Sequence, residues 1–312
     1  MVCSLRLAAY ALASLAGFAS PALSEPEPPT DHSYIVFQDE ENQFAKDWMT
    51  KVFRAYTTYL SGYPVYKGYI DRIDLRIDVA SDYSVYTTFQ NDRYSIRVST
   101  GLYRLLMNLA IWQLSDRRDA SVVTIQCIRD YFTNSSRFLK PIKGYPPNAL
   151  MPRIDKFLLA KCEQASKTLR PIAEKGISFL ESEMIAAAAF ILLHEIGHVI
   201  LGHFHTKFES QQELDADGFA TIHSMYQLKG DFNGILGRQL TYFTFVPSSG
   251  HSFLGNELNS ISAGQRFAQI MSGCLQYTNR MKDNALRARI EKSYEGFFVS
   301  VSKTFNIPLP KR

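Results

Sequence analysis

One apolar segment of the chain, FILLHEIGHVILGHFH at residues 190–205, contains four histidines and one glutamate. Its other residues are typical of a protein core, where burying ionisable groups is costly unless something compensates them. His194 and His198 are four residues apart, so on an α-helix their rings project from one face, one turn apart. Any fold that buries this segment must therefore supply a partner for these side chains.

The spacing of these groups is that of a zinc site. In H-E-x-x-H sequences two imidazoles ligate zinc while the glutamate takes a proton from the activated water. His194 and His198 are therefore the candidate ligands, and Glu195 is the candidate general base. The extended pattern H-E-x-x-H-x-x-G-x-x-H cannot supply a third ligand, because Leu201 and Phe204 occupy its glycine and histidine positions.

A second polar segment, ESQQELDADGFA, offers the missing ligand. Glu213 and Asp217 are four residues apart and share one helical face. Glu213 can complete a His₂Glu zinc site whose fourth position is left to water, and Asp217 can accept a hydrogen bond from the non-ligating nitrogen of His194. The sequence thus predicts Zn²⁺ as the cofactor. The alternative is that these residues are buried polar groups satisfied by hydrogen bonds, without a metal.

Hydrophobic periodicity before the zinc segment predicts a helix and then a small sheet. Residues 44–60 carry apolar side chains at three- and four-residue steps, which favours a helix with one buried face. Residues 72–80 alternate apolar and charged side chains, as a half-buried strand does. The segments 83–89 and 93–100 flank a turn-prone break at 90–92 and therefore predict a β-hairpin.

The rest of the chain reads as mostly helical. A helical segment at about 103–180, with helices near 119–135 and 154–170, separates the sheet from the zinc segment. Two further helices are predicted near 263–281 and 283–304. The expected fold class is therefore α+β, with a small sheet before the H-E-x-x-H helix and a helical insertion.

Residues 1–24 have the form of a secretory signal peptide, with a basic start, a short apolar run and small residues at the end. Cleavage there would leave a single domain, residues 25–312, that is secreted or periplasmic. The alternative is an uncleaved membrane anchor, although the apolar run is shorter than the ~20 residues that span a bilayer. The apolar segments 184–193 and 102–114 are also short, so no stable membrane span is expected after signal removal.

Charge and cysteine content exclude two other classes of protein. The net charge of +4 becomes +3 once Arg6 is removed with the signal, and it is too small and too evenly spread to favour nucleic acid. Cys127, Cys162 and Cys274 contain no C-x-x-C pair and do not make a zinc site. In an oxidising compartment we expect one disulfide, with Cys127–Cys162 the first choice, and one buried thiol.

LLHEIGHVILGH followed by ELDADGFA resembles the gluzincin zinc peptidases, and within them the HtpX and CAAX-protease family, whose pattern is H-E-x-x-H and then E-x-x-A-D. Upstream, YSIRVSTGLYRLL is similar to the strand and TGLL segment that precede the zinc helix in that family. Downstream, His251 and Arg266 resemble its His-Pro motif and following arginine. The compact phage-exclusion protease group shares this arrangement, so the subfamily stays open.

The resemblance implies a zincin-like catalytic domain and a zinc-dependent endopeptidase that acts on a protein or peptide. Glu195 would take the proton of the activated water and pass it to the leaving amine. His251 would donate a hydrogen bond to the oxyanion, with His223 and Tyr242 as other candidates. Strand 93–100 would act as the edge strand that receives the substrate, or would be an ordinary sheet strand.

Two other functions are compatible with the same residues. One is a binding or chaperone-like protein that holds zinc without cleaving anything, and the other is a structural protein without metal.

The segment 190–205 also predicts two local structural features. Gly197, unfavourable inside a helix, indicates close approach of another backbone. His203 and His205 are expected to interact with the end of the zinc helix rather than to ligate metal.

Overall fold

The computed structural model describes residues 39–79, 85–107, 110, 177–205, 210–227 and 263–305. In chain order its elements are α1 (Asp39–Ser61), α2 (Pro64–Ile70), β1 (Ile73–Asp78), β2 (Val85–Gln90), β3 (Arg93–Ser99), α3 (100–107), α4 (Ile177–Ile200), a 3₁₀ turn (His203–His205), α5 (Ser210–Gln227), α6 (Ala263–Met281) and α7 (Asn284–Phe305). The predicted α+β class is confirmed, since this part of the chain is mostly helical with a three-stranded sheet before the long helices.

Several predictions fall outside the described residues. They are the signal peptide 1–24, the helices near 119–135 and 154–170 with most of the insertion 103–180, the Cys127–Cys162 disulfide, and the candidate donors His251 and Tyr242. Cys274 is described, and it is fully buried on α6, with its sulfur 3.8 Å from the Tyr294 hydroxyl. That position agrees with the expected buried thiol.

The three strands form one sheet in the order β1–β3–β2. β2 and β3 are the predicted hairpin, and they are joined by Asn91 and Asp92, whose φ values of 51° and 58° are those of a two-residue hairpin turn. β1 pairs with β3 in parallel, beginning at Ile73 opposite Tyr94. The sheet thus combines a hairpin with one parallel crossover strand.

Of the two interpretations of strand 93–100, the substrate-binding edge strand is wrong and the ordinary sheet strand is confirmed. β3 is the central strand and pairs with β1 on one side and β2 on the other. Alternation of apolar and polar residues identifies a strand, but it does not reveal its neighbours, and here β1 adds to the hairpin from earlier in the chain. Among the described strands, β2 and β1 are the edges.

Helix α4 is the centre of the core and contacts α1, α2, α5, β2 and β3. Its run from Ala186 to Val199 is buried throughout. By length and composition Glu181–Ile200 could also cross a membrane, but 89% of it is buried inside the protein, which is typical of a central core helix. The apolar character of the segment is therefore used for packing.

Helices α4 and α5 approach closely at Gly197. A Cβ atom at this position would lie 3.2 Å from Cδ1 of Phe219 and 3.4 Å from Cα of Ala216. The close approach expected from this glycine is confirmed. It brings the part of α4 that carries His194 and His198 against the first turns of α5, where Glu213 and Asp217 lie.

Candidate metal centre

Three side chains on α4 and α5 converge at the interface between these helices. The Nε2 atoms of His194 and His198 are 3.0 Å apart, as expected for residues one helical turn apart. The Glu213 carboxylate lies 3.4 Å from each ring, with Oε2 facing His194 and Oε1 facing His198. These atoms form a compact group that could hold a metal ion.

The spacing of these atoms suits zinc. Zinc bound at about 2.0–2.2 Å to nitrogen and oxygen in a tetrahedron separates its ligand atoms by about 3.3–3.5 Å. The two distances to Glu213 have this length, and the distance between the rings is slightly shorter. Two imidazoles and one carboxylate also form the donor set of catalytic rather than structural zinc sites.

The group sits in an apolar setting that makes its charges costly. His194, Glu195 and His198 are 6%, 8% and 9% exposed, and Asp217 is completely buried. Glu213 is more open, and it lies in the first turn of α5, where the positive end of the helix dipole favours a carboxylate. The negative charge of Glu213 is thus stabilised by the N-terminus of α5 and by the two histidine rings on α4.

Asp217 links His194 to a third helix. Its Oδ1 atom is 2.9 Å from Nδ1 of His194, the nitrogen on the side of the ring away from Glu213 and His198. The guanidinium of Arg266 on α6 donates to both carboxylate oxygens of Asp217 at 2.8 Å. Arg266 thereby balances the buried charge of Asp217 and holds the carboxylate that orients the His194 ring.

The described residues of the cluster carry more negative than positive charge. Glu195, Glu213 and Asp217 contribute three carboxylates, and Arg266 and a protonated His194 ring contribute two positive charges, which leaves one net negative charge. A divalent ion in place of the His194 proton would bring the sum of these charges to zero. The donor set is therefore compatible in charge with a metal such as Zn²⁺.

The pKa values of the cluster reflect this surplus of negative charge. Burial and Arg266 lower the pKa of His194, but hydrogen bonds to Asp217 and Glu213 outweigh them and raise it to about 9. Burial raises the pKa of Glu213 and of Asp217, yet His194 and Arg266 reverse the effect and hold both well below the usual range. In the absence of metal, His194 would therefore carry a proton that a metal ion has to displace.

Glu195, next to His194 on α4, also contacts the sheet. Its Oε2 atom accepts a hydrogen bond of 2.6 Å from the hydroxyl of Thr87 on the edge strand β2. The candidate general base therefore joins the helix of the two candidate histidine ligands to β2, an edge strand among the described strands.

His203 contacts the second candidate ligand. Gly202, with φ of +74°, ends α4 in the left-handed conformation and turns the chain back, which a glycine adopts readily. As a result Nδ1 of His203 lies 2.8 Å from Nδ1 of His198, while Nε2 of His205 lies 3.1 Å from the Tyr94 hydroxyl. His203 thus lies against the side of the candidate ligand His198 that faces away from Glu213, a contact beyond the role that the sequence predicted for it.

His223 lies elsewhere in the fold. It packs within an aromatic cluster, and its ring centroid is 4.3 Å from Phe219 and 5.5 Å from Tyr66. This position does not favour it as an oxyanion donor. His251 and Tyr242 lie outside the described residues.

The structure brings together the predicted base, ligands and orienting carboxylate, namely His194, Glu195, His198, Glu213 and Asp217, and it places the candidate oxyanion donor His223 apart from them. It adds Thr87, which no local signal in the sequence could reveal because it lies 108 residues before Glu195. It also gives Arg266 a position against Asp217, where sequence reasoning had only a family resemblance. His203 was visible in the sequence, but its contact with His198 depends on the turn at Gly202.

Comparison with known proteins supports a peptidase. Residues 119–239 match the family model of Peptidase U49. The matched span includes α4 and α5, and so it contains both halves of the candidate metal centre. No curated protein and no solved structure matches the chain.

Proposed function

We propose that this protein is a zinc-dependent endopeptidase of the gluzincin type. The observation that carries the proposal is the convergence of His194, His198 and Glu213 at distances suited to one tetrahedral ion, with Glu195 beside them. The similarity to a peptidase family over the same helices supports it independently. A peptidase acts on a protein or peptide substrate.

His194, His198 and Glu213 would hold the zinc ion, which when bound supplies a Lewis acid that activates water and polarises the scissile carbonyl. Glu195 takes the proton of the attacking water and passes it to the leaving amine. Asp217 keeps the His194 ring in the orientation that ligation needs, and Arg266 keeps Asp217 ionised.

The substrate would bind along β2 rather than along β3. In the two-residue hairpin Gln90 and Arg93 form the closing hydrogen-bonded pair, so Phe89 and Thr87 turn their main-chain groups away from β3. The N–H of Tyr94, opposite Phe89, accordingly donates to the carbonyl of Arg72 on the β1 side. β2 therefore offers main-chain groups to an added peptide strand next to Glu195.

The donor for the oxyanion is proposed to be His251, from the resemblance to the gluzincin His-Pro motif. Arg266 adds a cation within 3.3 Å of both His194 Nε2 and Glu213 Oε2, so positive charge also faces the ligand group from α6. The positive charge of Arg266 would stabilise the negative charge that develops on the oxygen of the scissile carbonyl. We further propose that residues 1–24 direct export, so that the enzyme works outside the cytoplasm.

The test combines metal analysis with peptide cleavage. Protein purified without chelator is expected to hold one zinc ion, which Glu213→Gln loses and the neighbouring surface variant Asp215→Asn keeps. Wild type is expected to cleave a mixed peptide library, and Glu195→Gln to keep zinc but lose turnover. Glu181→Gln, an exposed change on the same helix, is the control for activity.

Each failure has a distinct meaning. Equal turnover by wild type and Glu195→Gln would refute the assigned base. Bound zinc without cleavage by any variant would favour the binding or chaperone-like alternative. Protein without any bound metal would favour a purely structural role for the five polar residues. Sequencing the N-terminus of exported protein checks cleavage of the signal.

A further inference from the structure

Thr87 and Glu195 form a hydrogen bond that the proposed function does not require. The Thr87 hydroxyl donates to Oε2 of Glu195 at 2.6 Å, joining the edge strand β2 to the helix that carries the metal ligands. A hydrogen bond to an ionised carboxylate is short and strong in comparison with a neutral one. Among the described residues, no other side chain forms a hydrogen bond with this carboxylate.

The contact restricts a side chain that otherwise has several rotamers. Glu195 follows His194 on α4, so its carboxylate has to extend sideways from the ligand face to reach an attacking water. With Oε2 held by Thr87, the direction of the carboxylate is set, and Oε1 would be the oxygen that accepts the proton of the water. A general base works only when it lies within hydrogen-bond reach of that proton.

We infer that Thr87 is a positioning residue for the general base Glu195, an inference that rests on the proposed function. Its hydroxyl holds the carboxylate in the orientation that abstracts a proton, without touching the substrate or the metal. The role belongs to the hydroxyl rather than to the shape of the side chain. Removal of the hydroxyl should therefore slow the chemical step and leave substrate binding largely intact.

The matched substitutions separate the hydroxyl from the side-chain shape. Thr87→Val keeps the β-branched shape in a strand but removes the donor, and Thr87→Ser keeps the donor. Thr57→Val on α1 removes a half-buried threonine hydroxyl that bonds the carbonyl of Phe53, away from the site, and is the control. All rates are measured on full-length protein and expressed per zinc-bound molecule, so that loss of folded protein does not count.

We expect Thr87→Val to lower kcat by about 10- to 100-fold, the range typical when an orienting partner is removed, with KM changed less than about threefold. Thr87→Ser should restore most of kcat. Thr57→Val should match wild type. Zinc content should be the same in all four proteins, since Thr87 contacts the base and not a ligand.

Three results would overturn the inference. They are a kcat of Thr87→Val within about twofold of wild type, a loss that appears in KM alone, or an equal loss of kcat in Thr87→Ser. If Glu195→Gln is inactive in the same assay, such a result rejects the role of Thr87 while the proposed peptidase function stands. If zinc-loaded wild type itself cleaves nothing, the proposed function fails and the inference fails with it.

Discussion

The guanidinium of Arg266 donates hydrogen bonds of 2.8 Å to both carboxylate oxygens of Asp217, although the two residues are 49 positions apart in the chain. Asp217 in turn lies 2.9 Å from the non-ligating nitrogen of His194. Three helices, α4, α5 and α6, therefore meet in one continuous polar contact inside an apolar core. The contact links the geometry of the ligand group to the packing of the fold.

Breaking this contact on one side should be strongly destabilising. Arg266→Met leaves the fully buried Asp217 carboxylate without its bidentate partner, and we expect a loss of about 3–5 kcal/mol in the free energy of unfolding. Urea unfolding measures it. The double variant Arg266→Met with Asp217→Asn should lose less than the sum of the single changes. Lys67→Met, which breaks the exposed pair with Asp71, should cost no more than about 1 kcal/mol.

His203 should support zinc binding without ligating the ion. With zinc on Nε2, His198 carries its proton on Nδ1 and can donate it to Nδ1 of His203 only if His203 is neutral. Burial and the neighbouring His198 lower the pKa of His203 and keep it neutral. We expect His203→Ala to weaken zinc affinity by about 10- to 100-fold in a competition titration. His205→Ala, which removes contacts with Tyr94 and Phe89 on the sheet, should change it little, and equal losses would contradict the role of His203.

The packing of α5 against α6 should depend on Gly273. A Cβ atom there would lie 2.7 Å from the Thr221 methyl and 3.2 Å from its Cβ, so Gly273→Ala forces the helices apart, with an expected cost of about 1–3 kcal/mol. At Gly296 on α7 no atom from the described part of the chain lies within 4 Å of such an atom. Gly296→Ala should therefore stabilise by up to about 1 kcal/mol, from helix propensity alone. Thermal unfolding of the two variants measures both effects, and shifts of the same sign would contradict this packing.

The stability of the fold should depend on pH through His223. Burial lowers the pKa of His223 to about 4, below the ~6.5 of an unfolded chain. Between these values the unfolded chain binds more protons than the folded one, so the contribution of the neutral ring is complete above pH 6.5 and is lost as the pH falls towards 4. Urea unfolding of wild type and His223→Gln across this range should show wild type losing more stability towards low pH. Parallel curves would rule out His223 as the cause.

Local pattern was sufficient for most elements of the fold. The steps of three and four residues before Ser61 and the alternation in 73–78 predicted a helix and a strand, and both are present. The hairpin followed from the turn-prone break at 90–92 between two strand-like segments. The order of the strands in the sheet could not be predicted from local pattern, because β1 pairs with β3 across about twenty intervening residues. Segment 93–100 was therefore interpreted as a possible edge strand, although it is the central one.

In the candidate site, too, the features set within one helix were predictable from the sequence, and the contacts between elements were not. The spacing of His194 and His198, or of Glu213 and Asp217, is decided within one helix, because residues four apart must share a face. The sequence by itself therefore determined which residues could ligate a metal and which glutamate could act as base. Gly197 indicated that another backbone passes close, but only the tertiary structure decided that this backbone is α5, that Arg266 contacts Asp217 and that Thr87 contacts Glu195. Those contacts join residues up to 108 positions apart, and they depend on how whole helices and strands pack, which local periodicity does not encode.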